Sequence, residues 1–438
     1  MKHRRLLPLA LVLLLAALAG CQAYLPKAGR RMPSPSEVDG QVSSPATPAA
    51  TTQPPKPVEI SIGMTGDVLM HDWLIKGGEQ ADGSYNYDHI FQYMRPEIGR
   101  LDYAIANMEG TLAGPPYTGY PLFSAPDAVA DALKTAGFDM AVSANNHILD
   151  RHAEGLDRTV SVLRKAGLTT LGARLEETEP PFQIVDIKGI KVGFSAFTYE
   201  TVKVDGIKGL NGLRITAEVE PRLDSFSQEE AYMPADIDKV AGRVADMRAA
   251  GAEIVVFVMH WGTEYAYTED VYSQAYTKAL ADAGCDLVFA CGPHVLWPVR
   301  TLTASDGDHQ MLCFYSLGNA VSDQTYSTGD SEGRAEDGML AAAKFTKDPT
   351  TGAVRLTAAG YIATYCHKDT VATASNINRI MPIEQSLADP EAFDCSNITD
   401  LLEESKTRTE KLMAENTIAD DLPFSAYSSF SDSPFETD

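Results

Sequence analysis

The residues of this 438-residue chain that could do chemistry stand where short apolar runs stop. The run 60–65 ends in Gly66-Asp67, and the run 103–106 ends in Asn107-Met108-Glu109-Gly110. Residues 140–143 lead into Ala144-Asn145-Asn146-His147, and residues 254–259 into His260-Trp261-Gly262-Thr263-Glu264. Residues 287–290 lead into Cys291-Gly292-Pro293-His294. Strand carboxyl ends gather along one edge of an α/β sheet, and ligands bind there. A lone histidine after a strand is usually structural, and Asp67 beside a glycine reads equally well as a turn. Five such ends carrying Asp, Glu, Asn and His together favour one shared polar site. Mixed oxygen and imidazole donors suit a hard or borderline divalent ion: Mn, Fe, Zn or Mg.

Positioning these side chains takes a scaffold of alternating elements. Residues 58–385 read as one domain, long enough for a large core. Strands are predicted at 59–65, 103–107, 140–143, 182–187, 191–197, 253–259, 286–290 and 311–315. Helices are predicted at 127–136, 154–166, 235–250 and 272–283, with Gly137, Gly167, Gly251 and Gly284 at their stops. Gly189 fits a hairpin turn between two strand runs. The alternation argues for an α/β fold in which helices cover a sheet. Two late strands, 341–347 and 354–366, look antiparallel and are expected to complete a second sheet.

Six motifs in order resemble the signature series of CapA-type proteins, the capsule or poly-γ-glutamate synthesis proteins. They are Gly66-Asp67-Val68-Leu69-Met70, Asn107-Met108-Glu109-Gly110, Ala144-Asn145-Asn146-His147 with Asp150, His260-Trp261-Gly262-Thr263-Glu264-Tyr265, Pro293-His294-Val295 and Tyr315-Ser316-Leu317-Gly318-Asn319. That family in turn resembles the calcineurin-like metallophosphatases. The resemblance implies a four-layer α-β-β-α sandwich, two packed sheets with helices outside, and a metal site at the strand ends. By the motif match, Asp67, Glu109, Asn146, His260 and His294 would be metal ligands and His147 the catalytic imidazole. Asp150 and Glu264, catalytic with His147, would stand behind the metal ligands or face the substrate, and Asn107, Asn145, Trp261 and Asn319 would line the substrate's path.

Two positions depart from the pattern. Metallophosphatases usually carry a histidine two residues after the first aspartate, where this chain has Leu69. The late His-Pro-His of the family is here Gly292-Pro293-His294, and a glycine has no ligand atom. Cys291 would point away from residue 292 in an extended segment, and His71 is expected past the strand end. One ion is therefore expected rather than two, held by Asp67, Glu109 and His294 or by Glu109, Asn146 and His260. The chemistry implied is metal-assisted hydrolysis in which His147 protonates the leaving oxygen or nitrogen.

The ends speak to location. Lys2, Arg4 and Arg5 precede an apolar run, 6–18, too short to span the ~30 Å of a bilayer core as a stable helix. Leu18-Ala19-Gly20-Cys21 resembles a bacterial lipobox, so residues 1–21 read as a lipoprotein signal and Cys21 as the lipidated residue. The Pro/Ser/Thr-rich stretch 22–57 reads as a disordered spacer, and the acidic tail 386–438 as mostly disordered, with one weakly amphipathic stretch near 400–416. These features predict a domain outside the cytoplasmic membrane, held there by lipid.

The net charge of −24 becomes −27 once Lys2, Arg4 and Arg5 are removed, which argues against nucleic acid as a partner. The expected partners are the membrane, an anionic polymer such as poly-γ-glutamate, and polymer synthase subunits. An acidic domain should repel such a polymer unless metal ions or a basic patch intervene; Lys203, Lys208 and Arg214 are the candidates for that patch. Two other readings stay open: a non-enzymatic polymer-binding scaffold with a degraded site, and a metallophosphoesterase unrelated to capsule. Five cysteines remain after Cys21, with no CxxC pair; Cys285, Cys291 and Cys313 read as core residues, and a Cys366–Cys395 pair is left open.

Overall fold

The protein is described from a computed structural model over residues 56–204, 206–369, 377–431 and 433–436. Cys21, the expected signal segment 1–21 and nearly all of the expected spacer 22–57 lie outside the described residues, as does the side chain of Lys203. The chain enters on strand β1 (Val58–Leu69), followed by short helices α1 (Asp72–Gly77), α2 (Asp88–Phe91) and α3 (Arg95–Ile98). Strands and helices then alternate as β2 (Tyr103–Glu109), α4 (Ala128–Ala136), β3 (Met140–Val142), α5 (His152–Lys165) and β4 (Thr169–Leu171). A hairpin, β5 (Gln183–Ile187) and β6 (Ile190–Tyr199), precedes three short strands, β7 (Thr201–Val204), β8 (Ile207–Leu210) and β9 (Leu213–Arg214). Next come β10 (Ser225–Phe226), α6 (Met233–Ala249), β11 (Ile254–His260), α7 (Val271–Asp282), β12 (Leu287–Cys291), β13 (Val299–Thr303) and β14 (Gln310–Phe314). The last part holds β15 (Asn319–Val321), β16 (Asp337–Lys347), β17 (Val354–Asp369), β18 (Ile377–Pro382), α8 (Ile383–Ala388), α9 (Thr399–Met413) and β19 (Phe424–Ala426).

Among the described residues the larger sheet runs β18-β17-β16-β1-β2-β3-β4, with β15 beside β1 and β19 beside β17. The second runs β10-β6-β11-β12-β14-β13, with β5 on β6, and β7, β8 and β9 form a small third sheet. Side chains alternate faces along a strand, and the two large sheets use that alternation to build three cores. Ile254, Val256 and Val258 of β11 meet Ile60, Ile62 and Met64 of β1 in a core between the sheets. Val255 and Phe257 point the other way, against Val240, Val244 and Met247 of α6 and Leu280 of α7. Ala104 and Ala106 of β2 likewise turn outward to Val129 and Leu133 of α4. The architecture is thus the expected α/β sandwich, with helices outside two packed sheets. Each fully buried Val, Leu, Ile or Phe in these cores stabilises the fold by about 1.5–3 kcal/mol.

Two expectations are corrected. The late strands do pair antiparallel, but β16 adds to β1 and extends the first sheet rather than completing a second. The tail 386–438 is folded over its described residues. Helix α9 buries Leu402 and Met413, β19 pairs parallel with β17, and Phe430 and Phe435 insert into the outer core of the first sheet. The buried Glu97 carboxylate receives the Phe430 N–H at 2.7 Å, the Ser429 hydroxyl at 2.7 Å and the Gln385 amide at 2.8 Å. Acidic composition masked the apolar side chains, Leu402, Met413, Phe430 and Phe435 among them, that are buried against the domain. The question left open at Cys366 and Cys395 is answered: they are separate buried thiols. No helix among the described residues is long and apolar enough to cross a membrane.

Candidate metal centre

Strand parity decides which side chains enter the site. On β2, Tyr103 and Ile105 face the inter-sheet core, so Asn107 and Glu109 face the same way where that core ends. On β11, His260 continues the inward series of Ile254, Val256 and Val258. On β1 the count would put Gly66 inward, but the register with β2 shifts between Thr65 and Asp67. That bulge inserts one residue and turns Asp67 inward and Val68 outward. Gly66 makes the bulge possible: a Cβ there would sit 2.0 Å from the Gly318 carbonyl oxygen.

One ligand atom each from Asp67, Glu109 and His260 lies within 4.8 Å of the others, and all three residues are buried. This trio combines members of both ligand sets expected from the sequence. Asn146 Oδ1 is 2.9 Å from His260 Nε2, which is 3.6 Å from Glu109 Oε1. His294 Nδ1 lies 3.2 Å from Asp67 Oδ2 and 3.9 Å from Glu109 Oε2. His294 adopts a left-handed φ of 60°, a conformation that costs on the order of 1–3 kcal/mol for a non-glycine residue and recurs at functional sites. Asn107 donates to Asp67 Oδ1 at 2.7 Å and lies 3.4 Å from His260 Nδ1.

Both oxygens of Glu109 and the Oδ1 of Asn107 are buried with no hydrogen-bond partner. Leaving buried acceptors unmet costs about 1–3 kcal/mol each, more for a charged group. Burial, and then the Asp67 charge, push Glu109 well above the usual carboxylate range. Burial opposes ionisation of Asp67 too, yet its contacts with His294 pull it below the ordinary value. Burial resists a charge on His294, but Glu109 and Asp67 overcome it and raise the imidazole to about 10. Burial takes His260 down to about 3, leaving a neutral imidazole. Two carboxylates, a neutral histidine and unmet oxygens are the donor set a divalent ion would satisfy. Cys291 faces the same core, but burial and the Asp67 charge keep it a thiol.

A family model for the bacterial capsule synthesis protein PGA_cap matches residues 61–324, more than half of the chain and every strand end just described. The chain belongs to this family. The capsule biosynthesis protein CapA of Bacillus anthracis is 28% identical over 282 residues, covering 62% of this chain and 62% of that protein. The PGA biosynthesis protein CapA of Bacillus subtilis (strain 168) is 28% identical over 284 residues, covering 62% and 66%. A probable polyglutamine synthesis accessory protein of Mycobacterium tuberculosis (strain H37Rv) is 25% identical over 201 residues, covering 45% and 48%. The match spans less than two thirds of the length of each relative.

Within this PGA_cap-family site, His147 projects from the loop after β3, its Nδ1 2.7 Å from Asp150 Oδ2. A cavity of about 440 Å³ opens beside it, lined by Leu69, His71, Phe123, His147, Glu264 and His294, with Tyr120, Tyr265 and Gln324 among the other walls. Glu264 is therefore on the cavity wall. The four residues expected to line the substrate's path are placed otherwise. Trp261 is fully buried in the outer core, its indole N–H on the Tyr315 carbonyl at 3.0 Å, because it follows His260 and faces the helices. Asn145 is spent on backbone, donating to the Met108 carbonyl at 2.8 Å and accepting the His147 N–H at 3.2 Å. Asn319 sits 3.1 Å from His294 Nδ1 while its amide donates to the Ala335 carbonyl and to Gln324. Asn107 holds Asp67. All four are buried, and the three asparagines hold other residues.

His71 lies past β1, as expected, and accepts the Asp323 N–H at 3.2 Å. Lys208 is paired with Glu200 at 3.2 Å and Glu220 at 3.6 Å, so it is not a bare cation for a polyanion. Two site residues went unnoticed in the sequence. Tyr199 stacks on His260 with ring centroids 6.0 Å apart. Asn211 reaches His147 and Asn146 from the turn between β8 and β9. The dipeptide Asn211-Gly212 signals a hairpin turn, but nothing local says where that turn lands.

Proposed function

We propose that this chain is a lipid-tethered, extracytoplasmic protein that acts in synthesis, export or processing of an anionic capsule polymer such as poly-γ-glutamate, through a one-ion hydrolase-type site. The observation that carries the hydrolase reading is Glu109: a fully buried carboxylate with two unmet oxygens, facing Asp67 and His260. Asp67, Glu109 and His260 would hold the ion, with Asn146 and His294 beside them. A bound divalent ion would bring a water's pKa toward neutrality and polarise the scissile group. His147, aligned by Asp150 and open to the cavity, would hand a proton to the leaving oxygen or nitrogen.

Two residues favour one ion over two. Leu69 presents an apolar wall on the same face as Asp67. A Cβ on Gly292 would lie 2.5 Å from the Trp261 carbonyl oxygen, so no ligand side chain fits there, and its N–H instead points at Asp67 Oδ2, 3.3 Å away. The names of the Bacillus relatives support the polymer, and the lipobox at Cys21 supports the tether.

The deciding experiment is metal analysis of the purified protein with assays on phosphodiester and γ-glutamyl amide substrates. One ion per chain, whose removal by a chelator abolishes turnover, is expected. A metal-free protein that still binds poly-γ-glutamate would leave the scaffold reading instead. For the tether, Cys21→Ala is expected to move the protein from the membrane to the soluble fraction.

A further inference from the structure

We propose that Asn211 is a positioning residue of the metal centre: its side-chain amide fixes which atom of Asn146 faces the ion site. This rests on the metal reading above. An asparagine amide has nearly the same shape when rotated by half a turn, yet only its oxygen can face a cation or accept a hydrogen bond. Asn146 Oδ1 is 2.9 Å from His260 Nε2, and Asn146 Nδ2 donates to Asn211 Oδ1 at 3.2 Å. Rotated, Asn146 would set oxygen against the Asn211 oxygen and N–H groups toward His260 and the ion. Asn211 is itself fixed, because its Nδ2 lies 2.9 Å from Nδ1 and 3.3 Å from Nε2 of His147. One amide therefore presents an acceptor to a ligand residue and sets its NH₂ group against both ring nitrogens of His147.

The fold delivers Asn211 rigidly. Leu210 pairs with Leu213 and Gly209 with Arg214, so Asn211 and Gly212 are the two central residues of a tight hairpin. Their φ values of 48° and 75° are both positive, as a type I′ turn demands, and Asn-Gly is a preferred pair for it. Leu210 is fully buried in a cluster with Ile148, Leu149 and Leu156. Ile148 and Leu149 follow directly on Asn146 and His147, so the turn and the loop it serves are packed as one unit.

The test uses the full-length protein, Mn²⁺ as the probe, and two variants that both tolerate the left-handed turn. Asn211→Gly removes both contacts, whereas Asn211→Asp keeps an oxygen for the Asn146 amide and replaces the NH₂ group beside His147 with an oxygen. Loss of an outer-layer support weakens metal binding by ~10–100-fold, so Asn211→Gly should bind Mn²⁺ at least ~10-fold more weakly by titration calorimetry. Asn211→Asp should bind Mn²⁺ at least as tightly as wild type while turning over substrate more slowly. Equal melting temperatures for all three would exclude a merely structural role. Wild-type affinity in Asn211→Gly, or equal weakening in both variants, overturns the proposal. A wild-type protein that binds no Mn²⁺ overturns the metal reading beneath it, which the variants alone could not do.

Discussion

The Nδ1 of His147 and the Oδ2 of Asp150 are 2.7 Å apart, and the same carboxylate oxygen accepts the Phe123 N–H at 2.7 Å. Asp150 thus ties the imidazole to the wall of the cavity and sets which ring nitrogen is left for substrate. Asp150→Asn keeps one oxygen for the two donors but removes the negative charge that orients and supports the imidazole. Turnover is expected to fall by about 10²-fold, the usual scale for a misdirected general acid, with Mn²⁺ content unchanged. Steady-state kinetics alongside metal analysis checks this. Undiminished kcat would mean that His147 does not transfer the proton.

Glu109 makes an opposite pair of demands on the metal-free and metal-bound protein. Without an ion, its carboxyl must stay protonated or sit charged beside Asp67, and burial disfavours the charge. Metal-free Glu109→Gln is therefore expected to melt above metal-free wild type at pH 8. With Mn²⁺ at 100 times its Kd, wild type should gain about 2.7 kcal/mol and Glu109→Gln nothing. His294→Ala should lose at least a hundredfold in turnover, since Asp67 and Glu109 lose the imidazole between them. Thermal melts with and without Mn²⁺ read both halves; an unchanged Mn²⁺ response in Glu109→Gln would remove it from the ligand set.

Gly292 is where the chain departs from the family's His-Pro-His, and the departure is built into the backbone. Its φ of 114° belongs to glycine, and an added Cβ would meet the Trp261 carbonyl at 2.5 Å and His260 Nε2 at 3.3 Å. Gly292→Ala is expected to cost about 2 kcal/mol or more through strain and overpacking. Gly292→His should not raise the metal content above one ion per chain. Urea unfolding and metal analysis test the two statements, and a second bound ion in Gly292→His would show that the loop can open for a ligand.

The site's approximate composition was legible because strand ends in an α/β sheet converge whatever the details of pairing. Asp67, Glu109, Asn146, His147, His260 and His294 come together for that reason. Parity was not legible at Asp67, where a bulge at Gly66 changes the face, and parity sends Trp261 into the outer core. Asn145 and Asn319 hold neighbours, because buried amides must satisfy their own hydrogen bonds before they can serve a substrate, and Asn107 holds Asp67 through its Nδ2. Asn211 depends on a contact between segments about 64 residues apart, invisible to any local pattern. Pairing partners were equally hidden: β16 looks like any antiparallel strand, and only the assembled sheet shows that it lies against β1. The tail misled through its charge, because Leu402, Met413, Phe430 and Phe435 fix it while the acids stay at the surface.

Glu336 gives the fold a pH dependence away from the centre. Burial, and then the neighbouring Asp337, raise its carboxyl to about 7, with Arg408 acting against the shift. In the unfolded chain the same group ionises near 4.5. Between these values the folded protein holds a proton that the unfolded chain has released. Stability from this group is therefore complete below pH 4.5, declines as pH rises toward 7, and is flat above it. Asp337 is raised as well and holds Arg408 and the Ser405 hydroxyl, so the group sits where α9 docks against β16. Glu336→Gln keeps the shape of the protonated side chain without the titration. Its urea midpoint should match wild type near pH 4.5 and exceed it at pH 8. Parallel pH profiles for the two proteins would show that Glu336 ionises freely in the fold.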